Sequence, residues 1–351
     1  MSGFWQGRRV LVTGSTGFKG AWLSLWLEHL GADVVGLGLP PQTDPSLFAA
    51  AALAGPQQHL VDVRHAEAVK REVEEARPQI VFHLAAQALV RTSYREPIST
   101  FATNVMGTLH VLDAVRAVPG VESVVVVTTD KVYENHQLGK PFAEDDRLGG
   151  KDPYSSSKAC AELATQSFRD SFLTDEGAAA VATARAGNVV GGGDWSQDRL
   201  IPDIVRAHSA GDKVLLRFPD AVRPWQHVLE PLRGYLMLAQ RLADDRKATP
   251  LSVNFGPDPG SFLRVADVVD MVSAEFGGRP GWQQAPGAHL PEAKTLTLSS
   301  ELADRTLGWK PMLTMRETIQ WTAQWYRDFV GGRDARQLAM AQICRYQELC
   351  S

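Results

Sequence analysis

Cysteine is scarce in this sequence, and its scarcity excludes two kinds of architecture. The 351 residues include three cysteines, Cys160, Cys344 and Cys350, and no two of them form a CxxC pair. An odd and scattered set of thiols argues against a disulfide framework and is typical of a reducing cytoplasm. No cysteine motif for a metal is present either, so we expect no metal site.

Long apolar runs and an excess of basic residues are also missing. No apolar run approaches the ~20 residues that a membrane-spanning helix needs, and residues 1–9 lead to a strand without an apolar signal core. The formal net charge is -4, whereas a nucleic-acid surface normally shows as a basic excess. We therefore expect a cytoplasmic protein that binds neither a membrane nor a nucleic acid.

The first half of the chain is rich in alternating strand and helix patterns. Short apolar runs typical of buried parallel strands occur at 10–12, 34–37, 80–84 and 124–127. Helical patterns occur between and after them, at 21–30, 66–76, 104–118 and 154–172. This order predicts βαβ units and therefore an α/β, Rossmann-type, doubly wound fold with a parallel sheet.

Past Arg185 the alternation stops, and glycine and proline become frequent. We therefore predict a dinucleotide-binding domain over 1–188 and a smaller C-terminal substrate-binding lobe over 189–351. A strand at 253–255 would return the segment of about 225–260 to the main domain. Residues 337–349 are predicted to form an extra helix without a chemical signature.

Residues 14–20, with the sequence GSTGFKG, place glycines three apart between a predicted strand and a predicted helix. Glycines allow the backbone to approach a pyrophosphate, and the start of a helix offers free N–H groups and a positive dipole end. The motif predicts a dinucleotide site, although a tight turn without a ligand would contain the same glycines.

The choice between NAD and NADP depends on residues that are missing. No lysine or arginine occurs between Lys19 and Arg64, although a 2′-phosphate normally requires an arginine in this region, so NAD is favoured. The second predicted strand also lacks the terminal carboxylate that usually binds the adenosine ribose, and Asp44 lies further along. Asp62 is a candidate acceptor for the adenine amino group, or alternatively a surface residue that caps a helix.

Residues 154–158 form the sole YxxxK motif among the six tyrosines. On a helix, positions i and i+4 lie on one face, so Lys158 should lie beside Tyr154. A neighbouring ammonium favours the phenolate and lowers a pKa that starts near ~10, which would make Tyr154 a base for a hydroxyl proton. A surface pair on a helix would show the same spacing.

A buried strand at 124–127 ends in the polar residues Thr128, Thr129, Asp130 and Lys131. In an open parallel sheet, ligands bind outside the carboxyl ends of the strands. Thr129 is therefore predicted to hydrogen-bond a reacting hydroxyl, with Asp130 as a second titratable group. A turn or an N-cap is the alternative role for this pair.

Several motifs together resemble the extended short-chain dehydrogenase/reductase family. They are GSTGFKG at 14–20, HLAA at 83–86, a threonine ahead of YxxxK, and Asn188. Longer stretches are similar to the CDP-glucose 4,6-dehydratases of that family: TDKVYEN at 129–135, LGGKDPY at 148–154, GNVVGGGDW at 187–195 and RPWQHVLEP at 223–231. The similarity extends from Phe4 to about Phe329, and the segment LSSELA at 298–303 departs from it, since an Asp and a Lys are expected there.

The resemblance implies NAD as the cofactor and a nucleotide sugar, CDP-glucose, as the substrate. The implied cofactor-binding residues are Gly14, Thr16, Gly17, Phe18, Gly20, Asp62, Val63, Leu84, Ala85, Ala86, Tyr154 and Lys158. The implied substrate-binding residues are Gln87, Asn188, Arg199, Arg223 and His227. Arginine suits a diphosphate because of its planar fork of donors. Surface ion pairs are the alternative for the arginines, and core packing is the alternative for His227. A homodimer or homotetramer built on helix pairing is also implied.

The implied reaction has three stages: oxidation at carbon 4, loss of water across carbons 5 and 6, and hydride return to carbon 6. Its catalytic residues would be Thr129, Asp130, Lys131, Tyr154 and Lys158. Tyr154 would be the first base, Asp130 the acid for the departing hydroxyl, and Lys131 the carbon-5 base, unless its charge only orients Asp130. A 4-epimerase, a dehydratase for another nucleotide sugar and a non-catalytic NAD-binding module are the competing functions. Asp130 and Lys131 argue against the epimerase, and the intact YxxxK motif argues against the module.

Overall fold

The computed structural model describes residues 2–55, 57–136, 139–258, 262–287 and 296–350. In chain order the strands are β1 (Arg9–Thr13), β2 (Asp33–Gly38), β3 (Gln58–Leu60), β4 (Ile80–His83), β5 (Ser123–Val127), β6 (Ala180–Ala186), β7 (Asn188–Val190), β8 (Val214–Leu216), β9 (Val222–Arg223), β10 (Trp225–His227), β11 (Ser252–Phe255), β12 (Leu263–Arg264) and β13 (Trp282–Gln284).

The helices alternate with these strands in the first half and dominate the second. They are α1 (Ser2–Trp5), α2 (Phe18–His29), α3 (Leu47–Ala50), α4 (Ala66–Ala76), α5 (Val90–Arg95), α6 (Pro97–Phe101), α7 (Gly107–Ala117), α8 (Pro153–Phe172), α9 (Leu200–Ala210), α10 (Leu229–Asp244), α11 (Val265–Glu275), α12 (Glu301–Leu307), α13 (Met315–Val330) and α14 (Ala335–Leu349). A π-helical turn at Ala102–Met106 leads into α7, and a 3-10 turn at Asp130–Val132 follows β5.

Seven of the strands form one parallel sheet in the order β11-β6-β5-β4-β1-β2-β3. Its central strands are apolar throughout: every residue of β4 and β5 is buried. Helices cover both faces, because alternate residues of a strand point to opposite sides. Val125 packs into one core with Trp22 of α2, whereas Val124 packs into a second core with Val111 of α7. The prediction of a doubly wound parallel fold is confirmed.

The second half of the chain adds short strand pairs and helices beside the sheet. β7 pairs with β10, β8 with β13, and β9 with β12. β11 pairs with β6 in the main sheet, with Val253 opposite Ala184, which confirms the predicted returning strand. The division at residues 188 and 189 stays a prediction.

The predicted C-terminal helix is also present, as α14, and it packs against α2. Tyr346 of α14 meets Trp26 of α2 edge to face, with ring centres 5.8 Å apart. In the part of the chain that the structure describes, no helix combines the length and the apolar character that crossing a bilayer requires.

Candidate active site

A cavity of about 1310 Å³ opens at the edge of the sheet where the parallel strands end. Its wall includes Gly14 after β1, Leu84 after β4 and Thr128 after β5. β1 and β4 are neighbours in the sheet, and the strand order runs in opposite directions from this point. Doubly wound sheets bind their ligands at such a point, so the topology places a ligand site here.

The glycine loop between β1 and α2 forms one wall of this cavity. The five loop residues predicted to hold a cofactor all line it: Gly14, Thr16, Gly17, Phe18 and Gly20. Gly14 has φ +72°, and a Cβ at this residue would lie 2.7 Å from the backbone nitrogen of Ala85. Gly17, the N-cap of α2, gives the first turn no side-chain hydrogen bond. The backbone N–H groups at this helix start are suited to a pyrophosphate, which fits a dinucleotide.

We expect Gly14→Ala to lower the free energy of unfolding by about 3 kcal/mol, because alanine disfavours positive φ and its methyl group would meet the Ala85 backbone. Folded protein should also lose most of its affinity for NAD, since the loop has to move. Thermal unfolding and calorimetric titration with NAD measure the two effects. Gly177→Ala is the matched control, because a Cβ at Gly177 has no neighbour within 4 Å. An equal response of both variants would contradict the close approach.

Asp62 and Val63, predicted to bind the cofactor, line the cavity after β3. The Asp62 carboxylate accepts hydrogen bonds from the Arg64 guanidinium, the shortest at 2.6 Å, and this contact lowers the pKa of Asp62. The carboxylate is therefore held as an ionised acceptor. Asp44 is absent from the cavity wall, where Leu39 takes part instead.

The segment after β4 divides into residues that reach the cavity and one that does not. Leu84, Ala85 and Ala86 line it. Gln87 was predicted to bind substrate, yet its Nε2 donates to Thr100 Oγ1 at 2.9 Å and its Oε1 accepts from the Leu89 nitrogen at 2.6 Å. The Gln87 side chain therefore braces its own loop and does not reach the cavity wall.

Helix α8 brings the predicted tyrosine–lysine pair to the end of β5. Asp152 caps the helix, so Tyr154 lies in its first turn and Lys158 one turn later, and both line the cavity. The Lys158 ammonium donates to the carbonyl oxygen of Val127 at 3.0 Å. Burial lowers the pKa of Lys158 to about 8, against the opposing influence of the Glu162 carboxylate.

The electrostatic environment of Tyr154 differs from the one expected from spacing. Burial raises the pKa of its phenol above the ordinary value. The Lys131 ammonium, a hydrogen bond with the Thr129 hydroxyl and the Arg199 guanidinium act in the opposite direction, in that order. The two cations that most favour the phenolate, Lys131 and Arg199, therefore come from outside the YxxxK motif.

Thr129, Asp130 and Lys131 form a compact polar cluster beside Tyr154. Asp130 Oδ1 accepts a hydrogen bond from Thr129 Oγ1 at 2.9 Å and from Lys131 Nζ at 3.0 Å. The Asp130 side chain is almost fully buried, whereas that of Lys131 is about one-third exposed. A carboxylate and an ammonium, those of Asp130 and Lys131, therefore lie in contact in the same cavity as the tyrosine.

Lys19 is a cavity residue to which the sequence analysis gave no role. Its ammonium lies 6.0 Å from the centre of the Tyr235 ring. Burial and the nearby cations Arg199 and Lys158 lower the pKa of Lys19 to about 7, and Asp130 opposes them. The signal that could have found it is its position, because a lysine in the first turn of a helix opposes the helix dipole.

Three of the predicted substrate-binding residues also line the cavity. They are Asn188, Arg199 and Arg223. Arg199 Nη2 donates to the Ala88 carbonyl at 3.4 Å, and Arg223 Nη1 donates to the Val222 carbonyl at 3.0 Å. The cavity lining also includes the exposed apolar side chains of Leu215 and Phe218. The sequence analysis did not identify these two residues, because their segment is rich in loops and shows no apolar periodicity.

His227 does not reach the cavity wall, although it was predicted among the substrate-binding residues. Its ring is fully buried, with its centre 6.1 Å from that of Trp22 and 5.8 Å from that of Trp321. Burial lowers the pKa of His227 to about 3. These surroundings match the alternative of a packed core histidine.

A doubly wound sheet with a tyrosine–lysine pair beyond its fifth strand and a glycine loop after its first is the arrangement of a short-chain dehydrogenase/reductase. The chain belongs to the NAD dependent epimerase/dehydratase family, whose model matches residues 10–255. NAD is therefore its cofactor. Among the residues that the structure describes, no group of three or more His, Cys, Asp or Glu side chains is arranged to hold a metal ion.

Individual relatives are similar to this chain over nearly its whole length. It is 43% identical over 348 residues to the CDP-glucose 4,6-dehydratase of Salmonella typhimurium, covering 98% of this chain and 97% of the relative. It is 28% identical to the dTDP-glucose 4,6-dehydratase of Streptomyces griseus, with 90% and 93% covered. The crystal structure of the Thermus thermophilus UDP-glucose 4-epimerase complex with NAD is similar, with 26% identity, a TM-score of 0.74, and 91% of this chain and 99% of that chain covered.

Proposed function

We propose that this protein is a CDP-glucose 4,6-dehydratase. The observation that carries the proposal is the Asp130–Lys131 pair, joined at 3.0 Å, next to Tyr154 in one cavity. A 4-epimerase returns a hydride to the carbon that lost it and needs no second acid/base pair, whereas a dehydratase has to remove water. The identity to the Salmonella CDP-glucose 4,6-dehydratase supports cytidine as the nucleoside of the substrate.

The residues that would hold NAD run along one side of the cavity. The glycine loop would bind its pyrophosphate, Asp62 would accept from the adenine amino group, and Leu84 to Ala86 would border the dinucleotide. When bound, NAD supplies a hydride acceptor for carbon 4 of the sugar and the hydride donor for carbon 6, so it is regenerated in each turnover.

Tyr154 would accept the proton of the carbon-4 hydroxyl, and the hydroxyl of Thr129 beside it would hydrogen-bond the same sugar hydroxyl. Since burial raises the pKa of this phenol, the adjacent cations Lys131 and Arg199 have to favour the phenolate for the step to run near neutral pH. Lys158, whose ammonium is hydrogen-bonded to the Val127 carbonyl, would bind the ribose of the cofactor during the same step.

The elimination would use Asp130 as the acid and Lys131 as the base. A proton that moves from Lys131 to Asp130 across their 3.0 Å contact leaves an amine and a carboxylic acid. The amine can take the proton of carbon 5, and the acid can protonate the departing carbon-6 hydroxyl, which leaves as water. The alternative, that the Lys131 charge only orients Asp130, requires another base for carbon 5.

Asn188, Arg199 and Arg223 would bind the diphosphate of the nucleotide sugar. Arginine presents a planar set of donors that matches phosphate oxygens. The exposed apolar side chains Leu215 and Phe218 at the mouth would border the nucleoside. Gln87 and His227 have no part in this proposal, because neither lines the cavity.

Incubation of the enzyme with CDP-glucose, UDP-glucose and dTDP-glucose in parallel tests the function. We expect a 4-keto product, detected by its enolate absorbance in alkali, with a preference for CDP-glucose of about tenfold or more in kcat/KM. Faster turnover of another nucleotide would overturn the substrate assignment. A product that keeps its carbon-6 hydroxyl would indicate an epimerase, and NAD binding without turnover a non-catalytic module.

We also propose that the protein forms a homodimer or homotetramer through its α8 side and acts in the cytoplasm. Exposed apolar side chains occur on neighbouring segments there: Ile98 of α6 is 81% exposed, Met106 before α7 46%, and Leu163 of α8 55%. Helix α8 contacts both α6 and α7, so these residues belong to adjoining segments. The three cysteines are free thiols, as in a reducing compartment.

Replacing Leu163 with glutamate should shift the protein to a smaller species in analytical ultracentrifugation, because a charge at an apolar contact is left without a partner. Leu349→Glu is the control, since Leu349 is similarly exposed but lies at the end of α14. An unchanged sedimentation coefficient for Leu163→Glu would remove α8 from the interface.

A further inference from the structure

A buried ion pair lies beneath the cluster of Thr129, Asp130 and Lys131, here called the catalytic turn. Glu162 of α8 and Arg185 of β6 are in contact at 2.8 Å, and both side chains are almost fully buried. The Glu162 carboxylate also accepts hydrogen bonds from the hydroxyl groups of Thr128 and Thr183. Its four acceptor positions are therefore occupied by two guanidinium N–H groups and two threonines.

Each end of the catalytic turn is attached to this pair. Thr128, the residue before the turn, donates to Glu162 Oε1 at 2.5 Å. Tyr133 follows the turn, and its hydroxyl accepts from Arg185 Nη1 at 2.8 Å. The Arg185 guanidinium also lies 5.1 Å from the centre of the Tyr133 ring. The ion pair thus contacts residues on both sides of the segment that would do the chemistry. The far end is also held by Tyr133 Oη, which donates to Asn254 Oδ1 at 2.7 Å, and by the Val132 carbonyl, which accepts from the Gly149 nitrogen at 2.7 Å.

Within the catalytic turn the side chains of Thr129 and Lys131 donate to Asp130 Oδ1, but the backbone is held less firmly. Its two local backbone contacts are long: Lys131 nitrogen to Thr129 Oγ1 and Val132 nitrogen to Thr129 oxygen are both 3.4 Å. Bonds of this length are at the weak end of the normal range. The position of Asp130 relative to Tyr154 therefore depends on what anchors the ends of the turn.

We propose that Glu162 and Arg185 are positioning residues, which set the place of the catalytic turn against Tyr154 by holding Thr128 and Tyr133. The inference rests on the proposed function, because the turn matters chemically only if Asp130 and Thr129 act on a sugar. Replacing a buried ion pair by apolar residues often leaves a protein as stable, so stability alone does not explain this pair. Thr183 donates to the other oxygen of the same carboxylate, but unlike Thr128 it is not adjacent in sequence to the turn. This difference between the two threonines makes the inference testable.

Thr128→Val and Thr183→Val form a matched pair of variants. Each removes one hydroxyl from the same buried carboxylate, so similar decreases in melting temperature are expected. We expect Thr128→Val to lower kcat by about ten- to a hundredfold through displacement of the turn, with little change in KM. Thr183→Val should keep kcat within about twofold of the original, because the contact it loses leads away from the turn.

The second readout needs no substrate. The absorbance of tyrosinate is titrated in the NAD-loaded protein, and the same titration in a Tyr154→Phe background is subtracted, which leaves the ionisation of Tyr154. The charged groups that act on this phenol are Lys131, Asp130 and Arg199. In Thr128→Val the pKa of Tyr154 should rise, because Thr129 and Lys131 move away from it, and in Thr183→Val it should stay unchanged.

The two variants separate the possible outcomes. Equal losses of kcat in both, in proportion to lost stability, would overturn the positioning role and leave a structural ion pair. If the enzyme prefers another nucleotide sugar, kcat is measured on that substrate and the comparison still decides the inference. If no nucleotide sugar is turned over, the proposed function fails, whereas the tyrosinate titration still shows whether Thr128 controls the turn; an unshifted Tyr154 pKa in Thr128→Val would then refute it.

Discussion

Replacing Tyr154 with phenylalanine is expected to lower kcat by about three to four orders of magnitude while NAD stays bound. The variant keeps the ring, which is 8% exposed at the end of β5, and loses only the oxygen that would accept the sugar proton. Rate measurements with CDP-glucose and calorimetric titration with NAD separate catalysis from cofactor binding.

Tyr235→Phe is the matched control for this variant. Tyr235 is also fully buried close to the cavity, but its hydroxyl has no hydrogen-bond partner in the described structure. Its removal should leave both kcat and NAD affinity near the original values. A near-normal rate for Tyr154→Phe would exclude the phenol from the mechanism.

Asp130→Asn is expected to lower kcat by about two to four orders of magnitude and to leave reduced nicotinamide on the enzyme. The amide is isosteric with the carboxylate but cannot give a proton to the carbon-6 hydroxyl, so turnover should stop after the oxidation at carbon 4. The near-ultraviolet absorbance of the reduced cofactor, followed after mixing with CDP-glucose, measures this arrest.

Asp203→Asn serves as the control, because Asp203 belongs to the same cavity wall but pairs with Arg206 within α9. It should support normal turnover without accumulation of the reduced cofactor. If Asp130→Asn loses activity and shows no such absorbance, Asp130 serves binding or the first step and not the elimination.

The fold was accessible from sequence because its strands and helices follow from local patterns. The valines of β5 form an apolar run of the length of a buried strand, and β5 extends over Ser123–Val127, one residue more than predicted. Helix α2 was predicted to start at Ala21 but starts at Phe18. The difference arises from Gly20, which sequence reasoning treats as a loop residue. It is a glycine because a Cβ there would collide with the Gly14 carbonyl, a contact that only the tertiary structure reveals.

The candidate site divides in the same way. Tyr154 and Lys158 lie four positions apart on one helix, so their proximity is a local property. Gln87 and His227 were predicted to bind substrate from the family resemblance, Gln87 directly after the HLAA motif and His227 within RPWQHVLEP. The motif does not specify the side-chain direction: Gln87 turns to Thr100, and His227 packs between two tryptophans.

By itself the sequence determined the parallel sheet, the glycine loop, the tyrosine–lysine pair and the polar end of β5, because apolar periodicity and helical spacing act over a few residues. Only the tertiary structure decided the charges around Tyr154, since Lys131 and Arg199 come from separate segments and their effect depends on burial. The tertiary structure was also needed to show that Glu162 and Arg185 form an ion pair near the catalytic turn. Electrostatic effects depend on distance in space and on exclusion of water, and neither quantity is written in the order of residues.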